Sequence, residues 1–406
     1  MNDKYIIREL AKQYMQIACS EKQQKANQRM KDTNDLKIVR PPVIIDEIPW
    51  YQIKDDILTC LCTDERARAL EYELRKVIYR DKYFRADILL EPFYRVTMAI
   101  DSTGTGLNIK EEILRTDDFN NIVSHHYEDI LEDEESLDRL FHMPEFTLRP
   151  DKDEEAMNYY TDLLGDAMPV KLCGRAGFTF EPWDTIAMLR GMEPILYDLY
   201  DRPEYLHRIM EKLSAAATAQ MDFIETNSHV DSLLTSLHRT PGLVSGLAED
   251  GWKATWFRGA AQGFSVVSPE MHEEFEINYI KPIAERCAYT YYGCCEPLDN
   301  KMEIIQKISN LRKVGVSPWA NIQSMAEQIG GRYVYSRKPN PANVAVRTNP
   351  EVIQKEIEDT VKACIRYGCP CDITLKDIST IGHHPENLIV WADTVSNILD
   401  YYYGKE

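Results

Sequence analysis

Two adjacent thiols and a carboxylate follow a strand-like run in the C-terminal half of the chain. The aromatic and apolar residues 288–292 are typical of a buried strand, and Gly293 interrupts them. Cys294, Cys295 and Glu296 come directly afterwards. Thiolates act as nucleophiles and soft metal ligands, and a positioned carboxyl group can carry a proton. This stretch therefore predicts a chemically active site at the end of a strand.

Other residues able to do chemistry also lie beside apolar runs. His238 follows residues 232–237, and Lys376 and Asp377 follow residues 371–375. A partly desolvated lysine can hold an anionic substrate group or act as a general acid, although most lysines are surface charges. As catalytic residues we predict Glu296, Lys376, Asp377 and His238. As substrate-binding residues we predict Lys338, Trp319, Gln262 and Tyr292.

A zinc ion is the metal that Cys294, Cys295, Glu296 and His238 could bind together. Thiolate, imidazole and carboxylate ligands suit Zn²⁺, and a fourth position can remain open to substrate. Two alternatives weaken this set. Successive residues of a regular strand point to opposite faces, so one thiol would serve only packing. Glu296 could instead cap a helix that begins at Pro297.

Strand-like runs alternate with amphipathic stretches of helical length over most of the chain. Such alternation predicts parallel strands joined by crossover helices, and eight runs predict a (β/α)8 TIM barrel of α/β class. The eight runs are residues 88–100, 170–173, 232–237, 264–267, 288–292, 311–316, 332–335 and 371–375. In such a barrel the catalytic groups project from the carboxyl ends of the strands into one mouth.

The N-terminal region has a different pattern. Residues 6–18 and 66–79 carry apolar positions at helical spacing, and prolines separate them. We therefore predict a mostly helical extension over residues 1–85, packed on a barrel formed by residues 86–406.

The charge of the chain limits its partners. The 66 acidic and 47 basic residues give a formal net charge of -19, which disfavours nucleic acid and anionic membranes as partners. The N-terminus shows no apolar segment of an export signal, so we expect a cytoplasmic protein. Its ten cysteines are then expected to be reduced.

Three short segments resemble the uroporphyrinogen decarboxylase superfamily, in the branch near the cobalamin-dependent methyltransferases. The segments are Val267-Ser268-Pro269-Glu270-Met271, Tyr292-Gly293-Cys294-Cys295 and Pro385-Glu386-Asn387-Leu388. The resemblance extends over roughly residues 88–406. It implies a (β/α)8 barrel whose mouth either decarboxylates tetrapyrrole side chains or moves a methyl group to or from a corrinoid.

The zinc methyltransferases of that superfamily bind the metal through a His-x-Cys turn and a later cysteine. Here only Cys294 matches, because Tyr292 occupies the histidine position and Lys376 or Asp377 lies near the later cysteine. The resemblance therefore implies a variant site. The Arg-rich N-terminal segment of the decarboxylases is not found in this sequence.

The resulting hypothesis is a methyltransferase subunit. It would transfer a methyl group from a small donor, such as a methoxylated aromatic, to a corrinoid (cobalamin) carried by a partner protein, with zinc as its metal and a homodimer as the assembly considered. The alternatives are a decarboxylase and a non-catalytic barrel that binds a corrinoid or tetrapyrrole.

Overall fold

The computed structural model describes residues 2–115, 123–231, 236–345 and 348–405. The strands are β1 (Val43–Ile45), β2 (Tyr94–Thr97), β3 (Ile100–Ser102), β4 (Glu111–Arg115), β5 (Val123–Tyr127), β6 (Phe146–Leu148), β7 (Val170–Cys173), β8 (Phe178–Thr179), β9 (Ser236–Leu237), β10 (Thr240–Pro241), β11 (Trp256–Gly259), β12 (Tyr289–Tyr292), β13 (Leu311–Val316), β14 (Val334–Arg337) and β15 (Cys371–Leu375). The helices are α1 (Asp3–Ala18), α2 (Glu21–Asn34), α3 (Glu65–Tyr83), α4 (Glu134–Leu140), α5 (Pro150–Leu164), α6 (Pro182–Arg190), α7 (Met192–Asp201), α8 (Pro203–Asn227), α9 (Pro269–His272), α10 (Asn278–Ala284), α11 (Met302–Ile305), α12 (Ile322–Ile329), α13 (Pro350–Tyr367) and α14 (Glu386–Tyr403).

A curled parallel sheet of seven strands organises the molecule. Its order is β1-β15-β14-β13-β12-β11-β8, and every neighbouring pair is parallel. Parallel strands need covering on both faces, and the largest apolar core lies between this sheet and helices α8 and α10 to α14. The predicted α/β class and TIM-barrel-like architecture are therefore confirmed.

The sheet does not close into the predicted ring of eight strands over the described residues. It ends at β1 on one side and at β8 on the other, while β2 and β7 form a separate parallel pair. Within the described part of the chain β9 pairs only with β10, in antiparallel fashion. Residues 232–235, which the predicted third run includes, lie outside the described residues.

One predicted strand was wrong, and three strands of the large sheet were missed. Residues 264–266 belong to a 3-10 turn that ends just before helix α9, and the sheet strand is β11, a few residues upstream. Arg258 and Gly259 interrupt the apolar pattern of β11, although the strand is buried inside the sheet. β1 and β8 have three and two residues, too few to show a period.

The N-terminal 85 residues are not only helical. Helices α1 and α3 confirm the predicted periodic stretches, and they pack with α5 around a small core of their own. β1, however, pairs with β15, so that Ile44 lies opposite Thr374 and this segment supplies an edge strand of the large sheet. The division at residue 85 stays a prediction.

None of the described helices is long and apolar enough to cross a membrane.

Candidate functional site

The carboxyl ends of the parallel strands converge on one polar cluster, as the strand pattern predicted. Lys376 and Asp377 follow β15, Cys294 and Cys295 follow β12, and Lys338 follows β14. Parallel strands place their carboxyl ends at the same edge of a sheet, so residues far apart in sequence meet there.

Both thiols face the same lysine. Lys376 Nζ lies 3.8 Å from Cys294 Sγ and 3.6 Å from Cys295 Sγ, and the two sulfur atoms are 3.6 Å apart. The expectation that one thiol would point to the opposite face was wrong because β12 ends at Tyr292 and Gly293 has a φ of +105°. This left-handed conformation ends the alternation of the strand and turns both cysteines toward the mouth.

The two thiols and the Lys376 ammonium group shift the pKa values of one another. The hydrogen bond between the two thiols, together with burial, raises the pKa of Cys294, and the same hydrogen bond and Lys376 lower the pKa of Cys295. Burial acts to lower the pKa of Lys376, but the thiols and Asp377 raise it overall. Lys376, only 2% exposed, is therefore held as a cation beside the more acidic thiol.

Glu296 is a buried carboxyl group and not a helix cap. No helix begins at Pro297, since the next helix is α11, which starts at Met302. Glu296 is 1% exposed, and its Oε2 accepts a hydrogen bond of 3.0 Å from the Cys294 amide. Burial raises the pKa of Glu296 to about 7 against the opposing backbone amides. The group can therefore hold or release a proton near neutral pH.

His238 lies on the other side of the cluster and is held neutral. Arg258 Nη2 donates to His238 Nδ1 at 2.6 Å and also contacts Glu181 Oε1 at 2.8 Å. Burial, reinforced by the nearby cations Lys338 and Arg258, lowers the pKa of His238 far below its ordinary value. Because Nδ1 accepts, the ring proton lies on Nε2.

Glu181 is a second carboxyl group whose pKa lies near neutral pH. It follows β8, and burial raises its pKa to about 7 although Arg258 opposes the shift. Glu181 and Glu296 act on each other electrostatically, so the cluster contains two carboxyl groups that share one environment.

Backbone strain concentrates at the rim of this cluster. Glu47, His238, Arg239 and Asp377 all have φ between +33° and +67°, a region that side chains other than glycine rarely adopt. They are also linked, since Glu47 accepts from the Asp377 amide at 2.8 Å and from Arg239 at 2.7 Å. Such strain is typical of functional sites, where the surrounding structure enforces a geometry.

A buried ion pair forms the floor of the cluster. Lys313 Nζ contacts Asp372 Oδ2 at 2.8 Å, and Ser336 donates to the other carboxylate oxygen at 2.7 Å. Lys338 Nζ donates to Ser336 Oγ at 3.1 Å and lies 5.7 Å from the Tyr291 ring centre. Burial lowers the pKa of Lys338 to about 8.

Three predicted substrate-binding residues lie outside the cluster. Tyr292 points to the helix layer, where its hydroxyl group is 2.6 Å from His272 Nε2. Gln262 donates to Asp184 at 2.7 Å, and Trp319 is 70% exposed on the loop after β13. The structure does bring together Lys338 and the four predicted catalytic residues.

The four predicted zinc ligands do not form a metal site as they stand. Among the residues that the structure describes, no three His, Cys, Asp or Glu side chains lie close enough to hold one ion. The Lys376 ammonium group lies against both thiols, and Arg258 already uses His238 Nδ1. The Lys376 ammonium group would have to move away before a metal ion could bind both thiols. No step of the proposed reaction therefore depends on zinc.

Sequence reasoning missed Glu47, Glu181 and Arg258 as members of the cluster. They belong to or follow β1, β8 and β11, the strands that were too short or too interrupted to recognise. In the sequence, only their charge and their position beside those short runs could have indicated that these residues belong to the site.

The fold is similar to that of a solved structure, a methyltransferase from Methanosarcina mazei. The TM-score is 0.50 at 12% sequence identity, and the match covers 93% of this chain and 99% of the other. At that identity the likeness establishes the fold alone. No family model and no curated protein matches the chain.

The buried Glu296 predicts a pH-dependent stability. Its folded-state pKa of about 7 lies above the ordinary 4.5, so its contribution is complete below pH 4.5 and is lost as the pH rises through 7. Glu296→Gln, which keeps the acceptor for the Cys294 amide, should therefore gain about 3 kcal/mol relative to wild type between pH 4.5 and pH 8.

Urea unfolding at several pH values measures this difference. Glu193→Gln, at an exposed position of helix α7, is the control and should show a much smaller change. A difference between Glu296→Gln and wild type that stays constant with pH would contradict the prediction.

Proposed function

We propose that this protein is a methyltransferase subunit that moves a methyl group from a small methylated donor to a corrinoid carried by a partner protein. The observation that carries the proposal is the Lys376 ammonium group, held between two thiols at the carboxyl edge of the sheet. The fold likeness to a protein named as a methyltransferase supports it.

When a methyl group is transferred from an oxygen atom, the methyl–oxygen bond breaks and an alkoxide or phenolate departs. Both are poor leaving groups. A cation or an acid must stabilise the negative charge that develops on that oxygen. Lys376 can supply the cation because its raised pKa keeps it charged at neutral pH. Glu296 and Glu181, whose pKa values are about 7, can supply the proton.

The remaining groups position these two functions. Asp377 forms an ion pair with Lys376, and its amide donates to Glu47. Arg258 holds Glu181 and His238 together. A corrinoid held by a partner protein would supply the nucleophile at the mouth. A methoxylated aromatic fits as donor because its phenolate is the better leaving group.

The direct test is a transfer assay with purified protein, free cob(I)alamin and a panel of methoxylated aromatic compounds. We expect the absorption spectrum to change to that of methylcobalamin with at least one donor, together with release of the matching phenol. Metal analysis of the same protein tests the predicted zinc, and its mass in solution tests the homodimer.

Other outcomes of this assay identify the alternatives. Release of labelled CO2 from carboxylated compounds without methylcobalamin would indicate a decarboxylase. Binding of a corrinoid or tetrapyrrole without any turnover would indicate a non-catalytic barrel. Either result would reject the proposed methyl transfer.

A further inference from the structure

A cavity of about 260 Å³ lies between β8 and the β2–β7 pair, beside the edge where the large sheet ends. Residues of β2, β8, β9 and β11 and of the loop 174–177 line it. Its volume is slightly below the range of about 300–1,000 Å³ for small-molecule sites, which limits a ligand to roughly one ring and its substituents.

Three arginines and no acidic residue contribute to the described wall of this cavity. Arg95, Arg175 and Arg258 converge there from β2, the loop after β7, and β11. The charged residues that line the cavity are all positive, whereas the formal charge of the whole chain is -19. A cavity with charges of one sign concentrates ligands of the opposite sign.

The hydrogen-bonding capacity of these arginines is not exhausted. Arg95 pairs with Glu91 and, through Nη1 at 3.9 Å, with Asp231, and Arg258 pairs with Glu181, whereas Arg258 Nε is buried without a hydrogen-bond partner among the described residues. Arg175 is exposed and forms no ion pair within the same part of the chain. Arg175 therefore offers donors without matching acceptors, as an oxyanion requires.

Apolar residues also line the cavity. They are Phe178, Leu237 and Trp256, and all three are buried. A flat ring could pack against Leu237 and Trp256, which belong to one apolar cluster, while its charged group contacts the arginines. The combination suits an aromatic carboxylate better than a small inorganic anion.

We propose that this cavity binds the carboxylate group of a small aromatic acid, and that this acid is the methyl donor. The second part rests on the proposed function. Arg258 connects the two regions, because this residue lines the cavity and its guanidinium group contacts His238 and Glu181 of the cluster. A donor anchored at the arginines can therefore extend its methoxy group toward the mouth.

Calorimetric titration of the full chain at pH 7 and low ionic strength tests the binding site. Benzoate is the probe, benzamide its neutral counterpart, and phosphate the inorganic oxyanion. We expect benzoate to bind at least tenfold more tightly than benzamide or phosphate. Arg175→Gln should weaken benzoate binding roughly tenfold, the usual cost of one charged hydrogen bond. Arg366→Gln, an equal charge change on the exposed face of helix α13, should leave it unchanged.

Equal affinity for benzoate and benzamide, or an unchanged affinity in Arg175→Gln, would overturn the carboxylate site. Tighter binding of phosphate than of benzoate would overturn the carboxylate assignment. The transfer assay separates the two proposals when 4-methoxybenzoate is compared with 4-methoxybenzamide. Benzoate binding without any methyl transfer keeps the site and rejects the function. Equal transfer from both donors keeps the function and rejects the site as the donor's anchor.

Discussion

Replacing Lys376 by methionine is expected to lower kcat for methyl transfer roughly 100- to 1,000-fold, the usual effect of removing one preorganised group that stabilises charge in a transition state. The side chain is 2% exposed, so its ammonium group acts in a poorly solvated environment where charge stabilisation is strong. The effect should fall on kcat more than on KM, because the charge that Lys376 neutralises develops only during the reaction.

A second measurement on the same variant reports the electrostatics directly. Lys376 helps to lower the pKa of Cys295, so Lys376→Met should move the pH profile of Cys295 alkylation by iodoacetamide to higher pH. Lys355→Met, which removes an exposed lysine of helix α13, is the control and should change neither kcat nor the alkylation profile. Full methyl transfer in Lys376→Met would remove the central residue of the proposed mechanism.

Replacing Asp372 by alanine is expected to destabilise the fold by about 3–5 kcal/mol, because it leaves the buried Lys313 ammonium group without its counter-charge. Both side chains are 0% exposed, and Asp372 also accepts from Ser336. The substitution also removes the contacts by which Asp372 connects to the two neighbouring strands, since Lys313 belongs to β13 and Ser336 to β14. Urea unfolding monitored by circular dichroism measures the change.

Two comparisons distinguish the buried pair from a surface pair. Asp359→Ala breaks the exposed pair with Lys355 on helix α13 and should cost less than about 1 kcal/mol. The double substitution Lys313→Met with Asp372→Leu should recover much of the stability lost in Asp372→Ala, since it removes both charges of the pair. An equal, small loss in Asp372→Ala and Asp359→Ala would show that the buried pair has no special role.

Much of the sheet is predictable because local patterns determine it. β7, β13 and β15 begin and end at the residues that their apolar runs indicated, and the stretches 6–18 and 66–79 lie within helices α1 and α3. These elements are long enough for the alternation or the helical period to appear within one segment. The helix starts are equally local, since Ser268 and Asn349 cap α9 and α13 with their own side chains.

Most of the predicted site residues were identified from their position directly after a strand. Cys294, Cys295, Lys376 and Asp377 were expected at one mouth, and they lie within hydrogen-bonding or ion-pair contact. That inference needed only the rule that parallel strands expose their carboxyl ends at one edge. The roles of these residues in catalysis stay predictions.

Tertiary structure decided what surrounds Tyr291 to Glu296. The sequence by itself determined that a strand ends there with two thiols and a carboxyl group. It did not determine that Gly293 turns both thiols toward Lys376, or that Glu296 is buried away from any helix start. These outcomes depend on contacts between residues more than 80 positions apart, such as Lys376 with Cys295. No local period encodes such a pairing, because only the curvature of the sheet sets which strand ends meet.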